Sequence, residues 1–202
     1  MIEMILKYGV LGCLRLLSDV VKTHLFFNGA RLIRYPIDIR GKSLIDFGTR
    51  LTTGRYCRIE AYGSFENKKK FLVIGERCQL NDFVHITATN NVIIGNDVLI
   101  ASKVYISDTN HGSYSGEYQS LPSETVANRP LFSGSVVIGD NTWICEGVSI
   151  LNNVTLGKNV IVAANSVVTS SFPDDVIIAG IPAKIIKKYN YKSECWERVY
   201  SI

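Results

Sequence analysis

The sequence predicts a mainly β solenoid, in which short strands coil around one axis, preceded by a single helix. Along most of the chain an aliphatic residue returns every six positions, a spacing that neither a helix nor a simple strand alternation produces. A six-residue period is typical of coils with one strand and one turn per repeat, whose period residues all point to a common axis. The period residues are Ile138, Ile144, Ile150, Leu156, Val162 and Val168, then Ile94, Ile100 and Ile106, then Ile74, Leu80 and Ile86, and finally Ile39, Ile45 and Leu51.

Glycine follows many of the period residues, as in Ile94-Gly95, Ile138-Gly139 and Leu156-Gly157. A tight corner between two strands needs either a positive φ or a close approach of two backbones, and glycine accepts both. Asn and Asp beside these glycines tolerate the same corners. The pattern therefore predicts a corner after each short strand.

The composition suits one globular domain or one solenoid with extensions, since the 202 residues are 47% hydrophobic and 20% charged. A net charge of +4, without a basic run interleaved with aromatic residues, predicts no nucleic-acid partner. The five cysteines are scattered and lack metal-ligand spacing, which indicates reduced cytosolic thiols. The N-terminal apolar stretch is interrupted by charges and lacks a cleavage site, so it predicts neither a secretion signal nor a membrane span.

Residues 2–27 predict a helix, and we assign 1–30 as an N-terminal amphipathic unit. The apolar stripe of this helix consists of Leu6, Val10, Cys13, Leu14, Leu17, Val20, Val21 and Leu25. We expect the helix to cap the open end of the coil, because a terminal repeat otherwise exposes its core. The alternative is a helix that lies in a membrane interface with its basic residues snorkelling, which Asp19 on the polar face disfavours.

The coil is predicted over 31–183, with three interruptions of the six-residue period. A polar excursion lies between Cys57 and Ile74, two extra residues fall near Asn90, and the largest break is a loop inserted at about 107–136. So long an insertion in a regular coil is the first place to look for function. Residues 184–202 form a C-terminal extension, which we expect to be a short helical tail.

Three motifs accompany the repeats: SDTNHG at 107–112, IGDNTWICEGVSI at 138–150 and AANSVVTSSFPDDVIIAGIPAKIIKK at 163–188. With the repeats, they resemble the hexapeptide-repeat acyltransferases over nearly the whole chain. The coil of that family is a left-handed parallel β-helix of triangular section with three hexads per turn. Within the family the chain is most similar to the O-acetyltransferases of bacterial lipopolysaccharide O-antigen biosynthesis, which share the N-terminal helix and the KKYNY…WER tail.

His111 is the candidate general base. It lies at the mouth of the long insertion, between Asn110 and Gly112. Acyl transfer to a hydroxyl needs a base with a pKa near neutrality, a need that histidine meets. On a bare sequence a surface-loop histidine without function is the better interpretation, but the SDTNHG context and the resemblance favour catalysis.

The acceptor side is implied by the resemblance. Asn81 aligns with the acceptor-site asparagine of the sugar acetyltransferases, and we assign it, with its neighbours Asp82 and His85, to acceptor binding. The side chain of His85 could face the core or the solvent, and the sequence leaves this open. His24, in the N-terminal helix, is expected to be structural.

Two further residues have more than one interpretation. Asp108 orients the His111 ring, binds a sugar hydroxyl or caps the first turn of the insertion, and the sequence does not choose among these. Trp143 packs against the acceptor ring or against the thioester end of the donor, whereas an ordinary core position is the alternative.

The donor implied by the resemblance is acetyl-CoA, whose pantetheine arm lies along the outer wall of the coil between adjacent subunits. Small residues must line that wall, and Ala163, Ala164 and Gly180 fit this requirement. Thr169 matches a position that contacts CoA in the family. The cations expected near the CoA phosphates are Lys184, Lys187 and Lys188.

Two donor-side positions depart from the family pattern. Ser170 replaces a residue that is usually lysine, which puts a direct phosphate contact there in doubt. Cys145 replaces the glycine of the usual Trp-Ile-Gly motif, which puts the local backbone and the width of the acyl slot in question. A nucleophilic Cys145 is the weak alternative, because the family transfers the acyl group directly without an acyl-enzyme.

The expected enzyme is therefore an acetyl-CoA-dependent O-acetyltransferase, without a metal, acting on a sugar hydroxyl of a bacterial surface polysaccharide or O-antigen precursor. The resemblance implies a homotrimer with active sites between subunits. We expect it in the bacterial cytoplasm, at the inner face of the membrane if the N-terminal helix binds there peripherally.

Three other functions compete with this expectation. A zinc enzyme on a similar coil needs three converging histidines, but the three in this chain are His24, His85 and His111, and His24 precedes the coil. A scaffold without catalysis disagrees with the donor-side motifs. An acetyltransferase of a small molecule, such as a free sugar, serine or an antibiotic, remains the live rival, because it shares every donor-side residue.

Overall fold

The computed structural model describes residues 2–64 and 69–199, which form one long helix followed by short strands. The chain is mainly β with one N-terminal helix, as predicted. Helix α1 spans Ile2–Phe26, and single 3-10 turns lie at Lys42–Leu44 and Val126–Asn128. The strands, in chain order, are β1 Ile37–Arg40, β2 Ile45–Asp46, β3 Thr52–Thr53, β4 Cys57–Ala61, β5 Leu72–Ile74, β6 Gln79–Leu80, β7 His85–Ala88, β8 Val92–Ile94, β9 Leu99–Ile100, β10 Tyr105–Ser107, β11 Thr109–His111, β12 Leu131–Ser133, β13 Val136–Ile138, β14 Trp143–Ile144, β15 Ser149–Ile150, β16 Val154–Leu156, β17 Ile161–Val162, β18 Val167–Val168, β19 Val176–Gly180, β20 Ala183–Asn190 and β21 Cys195–Arg198.

The strands pair in parallel within three sheets that the chain visits in a fixed rotation. Sheet I contains β2, β5, β8, β13 and β16, and sheet III contains β1, β4, β7, β10, β15 and β18. Sheet II contains β3, β6, β9, β14, β17 and β19, with β20 and β21 added at its end. The chain passes from sheet I to II to III and back to I, so three strands make one turn of a coil.

The period residues form the core of this coil. Ile138 pairs in register with Ile94 in one neighbouring turn and with Leu156 in the other. Apart from Ile39, which is partly buried, every period residue is at most 3% exposed. Burying an aliphatic side chain of this size contributes about 1.5–3 kcal/mol, so this column of stacked side chains is the main source of stability.

The glycines after the period residues serve close approach rather than a left-handed backbone. A Cβ atom added at Gly139 would lie 2.5 Å from the carbonyl group of Gly157 in the next turn. The positive φ angles fall two positions later in the hexad, for example at Asn141 and Asn159. The corner where sheet I passes to sheet II therefore constrains two positions, one to a residue without a Cβ and one to a residue that tolerates the left-handed region.

Helix α1 contacts the first turns of the coil through its polar side. Asp19 and Thr23 are buried, and the Oδ2 atom of Asp19 pairs with the Nη2 atom of Arg55 at 2.8 Å. The hydroxyl of Thr23 accepts the backbone N–H of Ile33 at 2.8 Å. The backbone leaves helical geometry at Gly9, where φ is 66° and ψ is 171°.

The predicted apolar stripe of α1 points away from the coil. Leu6 is 82% exposed, Leu14 58% and Leu25 70%. The expectation that this stripe covers the end of the coil is therefore wrong within the single chain. The physical reason is that the first coil turns offer an arginine and free backbone groups to the helix, which polar residues satisfy and aliphatic residues cannot.

The expected helical tail is also wrong. Strand β20 returns antiparallel along β19, and β21 pairs antiparallel with β20, so the extension continues sheet II. The domain boundary expected after residue 183 falls at the first residue of β20. Strands form here because they satisfy the free backbone edge of β19, and because Tyr189 packs edge-on to Trp196 with ring centroids 5.4 Å apart.

Candidate active site

The candidate residues for acceptor binding and catalysis, apart from His85 and Trp143, lie at two of the three corners of the coil. Corner II/III, where sheet II passes to sheet III, carries Asn81 and Asp82 between β6 and β7. Corner III/I, where sheet III passes to sheet I, carries the insertion with His111 between β10 and β13. The breaks of the six-residue period all fall at corner III/I. Short turns join the strands at the other two corners up to β18.

The insertion projects as an antiparallel pair of strands, β11 and β12, which we call the arm. His111 ends β11 and pairs with Leu131, and its side chain is exposed. The hydroxyl of Tyr114 donates to the carbonyl oxygen of His111, and the Nη1 atom of Arg129 donates to that hydroxyl at 2.7 Å. Further bonds run from Arg129 to the carbonyl oxygens of Leu121, Pro122 and Glu124. Main-chain bonds thus fix the position of His111 while its imidazole ring stays accessible.

Asp108, at the base of the arm, is fully buried. Its Oδ1 atom accepts the N–H of Thr89 at 2.9 Å, and its Oδ2 atom accepts the N–H groups of Asn90 and Asn91, both at 2.8 Å. The carboxylate is therefore occupied by backbone amides of the preceding turn. Asp108 therefore caps a turn, as one of the interpretations expected, but this turn is residues 89–91 of the coil and not the first turn of the insertion.

A cavity of about 360 Å³ lies at the arm, lined by the two chain neighbours of His111 but not by His111 itself. The arm contributes Asn110, Gly112 and Phe132 to it, and the following coil turns contribute Asn152 and Thr169 among others. The fold thus brings Thr169, from the predicted donor side, next to the arm. Ser170 follows it at the same corner and is exposed.

A second cleft, of about 420 Å³, lies at corner II/III. Its lining residues are Arg34, Gly54, Arg55, Asn81, Asp82 and Ser102. The Oδ1 atom of Asp82 accepts the backbone N–H of Arg55 at 2.6 Å. Sequence reasoning missed Arg55 and Ser102. Each follows a residue, Gly54 or Ala101, that occupies the same corner position as Asn81 in a neighbouring turn, as the backbone hydrogen bonds show. This equivalence was the signal that could have found them.

The other donor-side residues lie at the later turns of corner II/III and on the strands of sheet II. Cys145 and Ala163 stack there, with the Cys145 N–H donating to Val162 O at 3.0 Å, and Ala164 follows exposed. Trp143 lies on the outer face of sheet II and is 46% exposed, so it is not a core residue. Strand β19 ends at Gly180, and Lys184 and Lys187 follow on β20 in the same sheet. Thr169 and Ser170 therefore lie at corner III/I, whereas the rest of the predicted donor set lies on sheet II or at corner II/III.

Burial raises the pKa of the Cys145 thiol, which lowers its thiolate fraction and disfavours it as a nucleophile. All five cysteines are free thiols. Over the described ranges, 2–64 and 69–199, no cluster of three or more His, Cys, Asp or Glu residues could hold a metal ion. In the same ranges, no helix has the length and apolarity needed to span a bilayer.

His85 lies outside the Asn81 cleft, on the outer face of sheet III, where it belongs to a network around Glu60. One oxygen of Glu60 contacts His85 Nε2 and accepts from Thr87, both at 3.0 Å; the other accepts from Arg58 at 2.9 Å and Tyr62 at 2.8 Å. Burial by itself raises the pKa of Glu60, but these hydrogen bonds outweigh it and lower the pKa to about 2.

The substitution Glu60→Gln is expected to lower the free energy of unfolding at neutral pH by on the order of 2 kcal/mol. The pKa of Glu60 is about 2 in the folded chain against an ordinary value of 4.5, so its stabilisation is fully present above pH 4.5 and is lost as the pH falls toward 2. Urea unfolding across this range should show the two proteins converging in acid. The matched control Glu146→Gln removes an exposed ion pair with Lys103 and should change little. A pH-independent difference for Glu60→Gln would contradict the assignment.

The comparisons with known proteins agree with this architecture. The family model described as bacterial transferase hexapeptide (six repeats) matches residues 135–170. A protein of Escherichia coli (strain K12), which carries the provisional name lipopolysaccharide biosynthesis O-acetyl transferase WbbJ, is 42% identical over 193 residues, covering 95% of this chain and 96% of that protein. The chain therefore belongs to the hexapeptide-repeat acyltransferases and is itself an acyltransferase. The galactoside O-acetyltransferase of the same organism is 34% identical over 58% of this chain and 54% of its own length.

Two solved structures show the likeness in three dimensions. A mutant of AntD, an N-acyltransferase from Bacillus cereus in complex with dTDP-4-amino-4,6-dideoxyglucose and coenzyme A, matches with a TM-score of 0.67 over 87% of this chain and 91% of that chain. At 19% identity this match shows the fold alone. A galactoside acetyltransferase in complex with coenzyme A matches with a TM-score of 0.53 and 25% identity, over 86% of this chain and 70% of that chain.

Proposed function

We propose that the chain transfers the acetyl group of acetyl-CoA to a sugar hydroxyl of a bacterial surface polysaccharide or O-antigen precursor. The observation that carries this proposal is the placement of His111, which main-chain bonds fix on the arm while its side chain stays exposed. Its neighbours Asn110 and Gly112 line a cavity at the arm. The names of the E. coli relatives support the class of substrate, including a second one provisionally assigned to colanic acid biosynthesis, WcaF.

In the proposed reaction, His111 removes the proton of the acceptor hydroxyl as the oxygen attacks the thioester carbonyl carbon. The tetrahedral intermediate carries the negative charge on the former carbonyl oxygen, which backbone N–H donors stabilise. Its collapse breaks the carbon–sulfur bond and releases CoA thiolate, which takes the proton back from His111. The products are the acetylated sugar and CoA, with the histidine restored, and no metal takes part.

The donor would lie against the outer wall formed by sheet II and corner II/III. The exposed Trp143 and the small residues Ala163, Ala164 and Gly180 leave room there for the pantetheine arm. Lys184 and Lys187 on β20 supply cations for the CoA phosphates. The exposed hydroxyl of Ser170 supplies no charge at the position where the family usually has lysine.

The active sites are proposed to lie between subunits of a homotrimer whose coils are left-handed, as in the family. Within one chain, Asn81 is at corner II/III and His111 is at corner III/I, and each lines or adjoins a separate cleft. A site that uses both residues therefore takes them from two copies of the chain. A three-fold arrangement brings the two kinds of corner together at each of three equivalent interfaces.

Mixing two inactive variants is expected to restore activity. In each trimer that contains both His111→Asn and Asn81→Ala chains, one interface combines an intact His111 with an intact Asn81, so random assembly of equal amounts makes about a quarter of all interfaces intact. CoA release after co-expression measures the recovery. The control mixture of His111→Asn with His111→Ala should stay inactive, since both changes affect the same corner. No recovery in verified mixed trimers would place both residues of a site in one chain.

The acceptor is tested by CoA thiol release from acetyl-CoA with a panel of hydroxyl donors. Release with lipid-linked O-antigen repeat units, and not with free sugars or serine, would establish the polysaccharide class. Release with the small acceptors would support the same acetyl transfer but would show that the acceptor is a small molecule. We place the enzyme in the bacterial cytoplasm at the inner face of the membrane, where such lipid-linked glycans are available.

A further inference from the structure

A cleft of about 510 Å³ separates helix α1 from the coil, and no step of the proposed reaction uses it. The helix contributes Arg15, Ser18 and Lys22 to its wall, and the coil contributes Tyr35 and Arg55. Three cationic side chains therefore face one cleft. The one acidic side chain in its lining is Asp19.

The charges in this cleft are not balanced. Asp19 is buried and pairs with Arg55, whose Nη1 atom also donates to the carbonyl oxygen of Tyr35. Lys22 Nζ lies 4.8 Å from the centre of the Tyr35 ring, and this contact leaves its charge uncompensated. In the part of the chain that the structure describes, neither Arg15 nor Lys22 forms an ion pair. Such a group of cations with open donors suits a phosphate or diphosphate.

The cleft adjoins two other surfaces. Arg55 lines both this cleft and the acceptor cleft that contains Asn81. On the helix, Leu14 of the apolar stripe lies one turn before Ser18, and Leu11, next to that stripe, lies one turn before Arg15. The cationic row therefore borders the exposed apolar surface of the helix. Both leucines are exposed. Sugar-binding, anion-binding and apolar surfaces thus follow one another across the end of the coil.

We propose that this cleft binds the phosphate or diphosphate that links the acceptor glycan to a lipid, with the apolar stripe of α1 against the lipid. This inference rests on the proposed function and narrows its acceptor to the lipid-linked form. A sugar phosphate can be linked to a lipid or to a nucleotide. The apolar stripe favours the lipid, because a nucleotide has no apolar chain that would cover the stripe. The same stripe, with basic residues beside it, suits the interface of an anionic bilayer.

Binding of farnesyl diphosphate, a prenyl diphosphate without a sugar, tests the site by titration calorimetry on the full chain. The double variant Arg15→Gln/Lys22→Gln is expected to weaken binding at least about tenfold, since charge-assisted hydrogen bonds to the diphosphate are lost. The matched control Lys7→Gln/Arg31→Gln removes one lysine and one arginine outside the cleft and should bind as wild type does. Equal affinity of the cleft variant and wild type would overturn the site.

Titrations with inorganic pyrophosphate and UDP distinguish binding of the diphosphate from binding of the group attached to it. The variant Leu11→Gln/Leu14→Gln should weaken farnesyl diphosphate severalfold and leave pyrophosphate unaffected. If UDP binds as tightly as farnesyl diphosphate and the leucine variant changes neither, the lipid assignment is overturned in favour of a nucleotide-linked acceptor. Because binding needs no acetyl transfer, His111→Asn should bind farnesyl diphosphate normally, so failure of the proposed function and failure of this site give different results.

Discussion

Replacing His111 with asparagine is expected to lower kcat by a factor of ~10² or more while the protein stays folded. Asparagine cannot accept the hydroxyl proton at neutral pH. The contacts that hold this position on the arm are the strand pairing with Leu131 and the bond from Tyr114 to the His111 carbonyl, which both use main-chain atoms of residue 111. The variant therefore keeps the arm and loses the base. CoA thiol release gives kcat, and the thermal unfolding midpoint checks the fold.

A matched control for this experiment is His24→Asn. His24 is an exposed histidine on helix α1, outside both clefts, so its substitution should leave kcat near the wild-type value. A His111→Asn enzyme with wild-type turnover would remove this residue from the mechanism. A loss of turnover with a large fall in the unfolding midpoint would show instead that His111 supports the arm.

Replacing Asp108 with alanine is expected to lower the free energy of unfolding by roughly 3 kcal/mol or more. The substitution leaves the N–H groups of Thr89, Asn90 and Asn91 without their acceptor at a corner that the protein shields from water. The bond from the Gly134 N–H to the main-chain carbonyl oxygen of residue 108, at 2.8 Å, is kept in the variant, so the loss measures the carboxylate contacts alone. Urea unfolding monitored by circular dichroism measures the change.

Asp38→Ala is the control for Asp108. Asp38 forms an exposed ion pair with Arg40, and removing such a pair costs about 1 kcal/mol or less. If Asp108→Ala unfolds within 1 kcal/mol of wild type but loses activity, the carboxylate acts on the sugar or on His111 rather than on the turn.

The coil could be predicted from the sequence because one physical cause repeats in it. Each hexad must place one aliphatic side chain on the axis. The spacing of Ile94, Ile138 and Leu156 therefore predicts both the strands and their stacking. The ends of the coil lack this repetition. The apolar stripe of α1 could be read from the sequence. The side of the helix that contacts the coil could not, because it depends on the ion pair between Asp19 and Arg55, which are 36 residues apart.

The site was predictable in its parts and not in its arrangement. His111 stands out because it opens the one long insertion, and Asn81 because its motif has known counterparts. The separation of these residues onto two corners follows from counting hexads from Asn81 to His111, and the two extra residues near Asn90 make that count ambiguous. Arg15, Lys22 and Arg55 carry no local signal, because their proximity exists only once the helix lies on the coil.

The antiparallel return of β20 and β21 has a consequence for solubility. A solenoid that ended at β19 would present a bare parallel edge, onto which the first turn of another molecule could be added repeatedly to build a filament. The returning strands reverse the direction of that edge, and β21 ends it with the charged pair Glu197 and Arg198. A truncated chain that ends before residue 183 is therefore expected to polymerise end to end rather than remain in discrete particles.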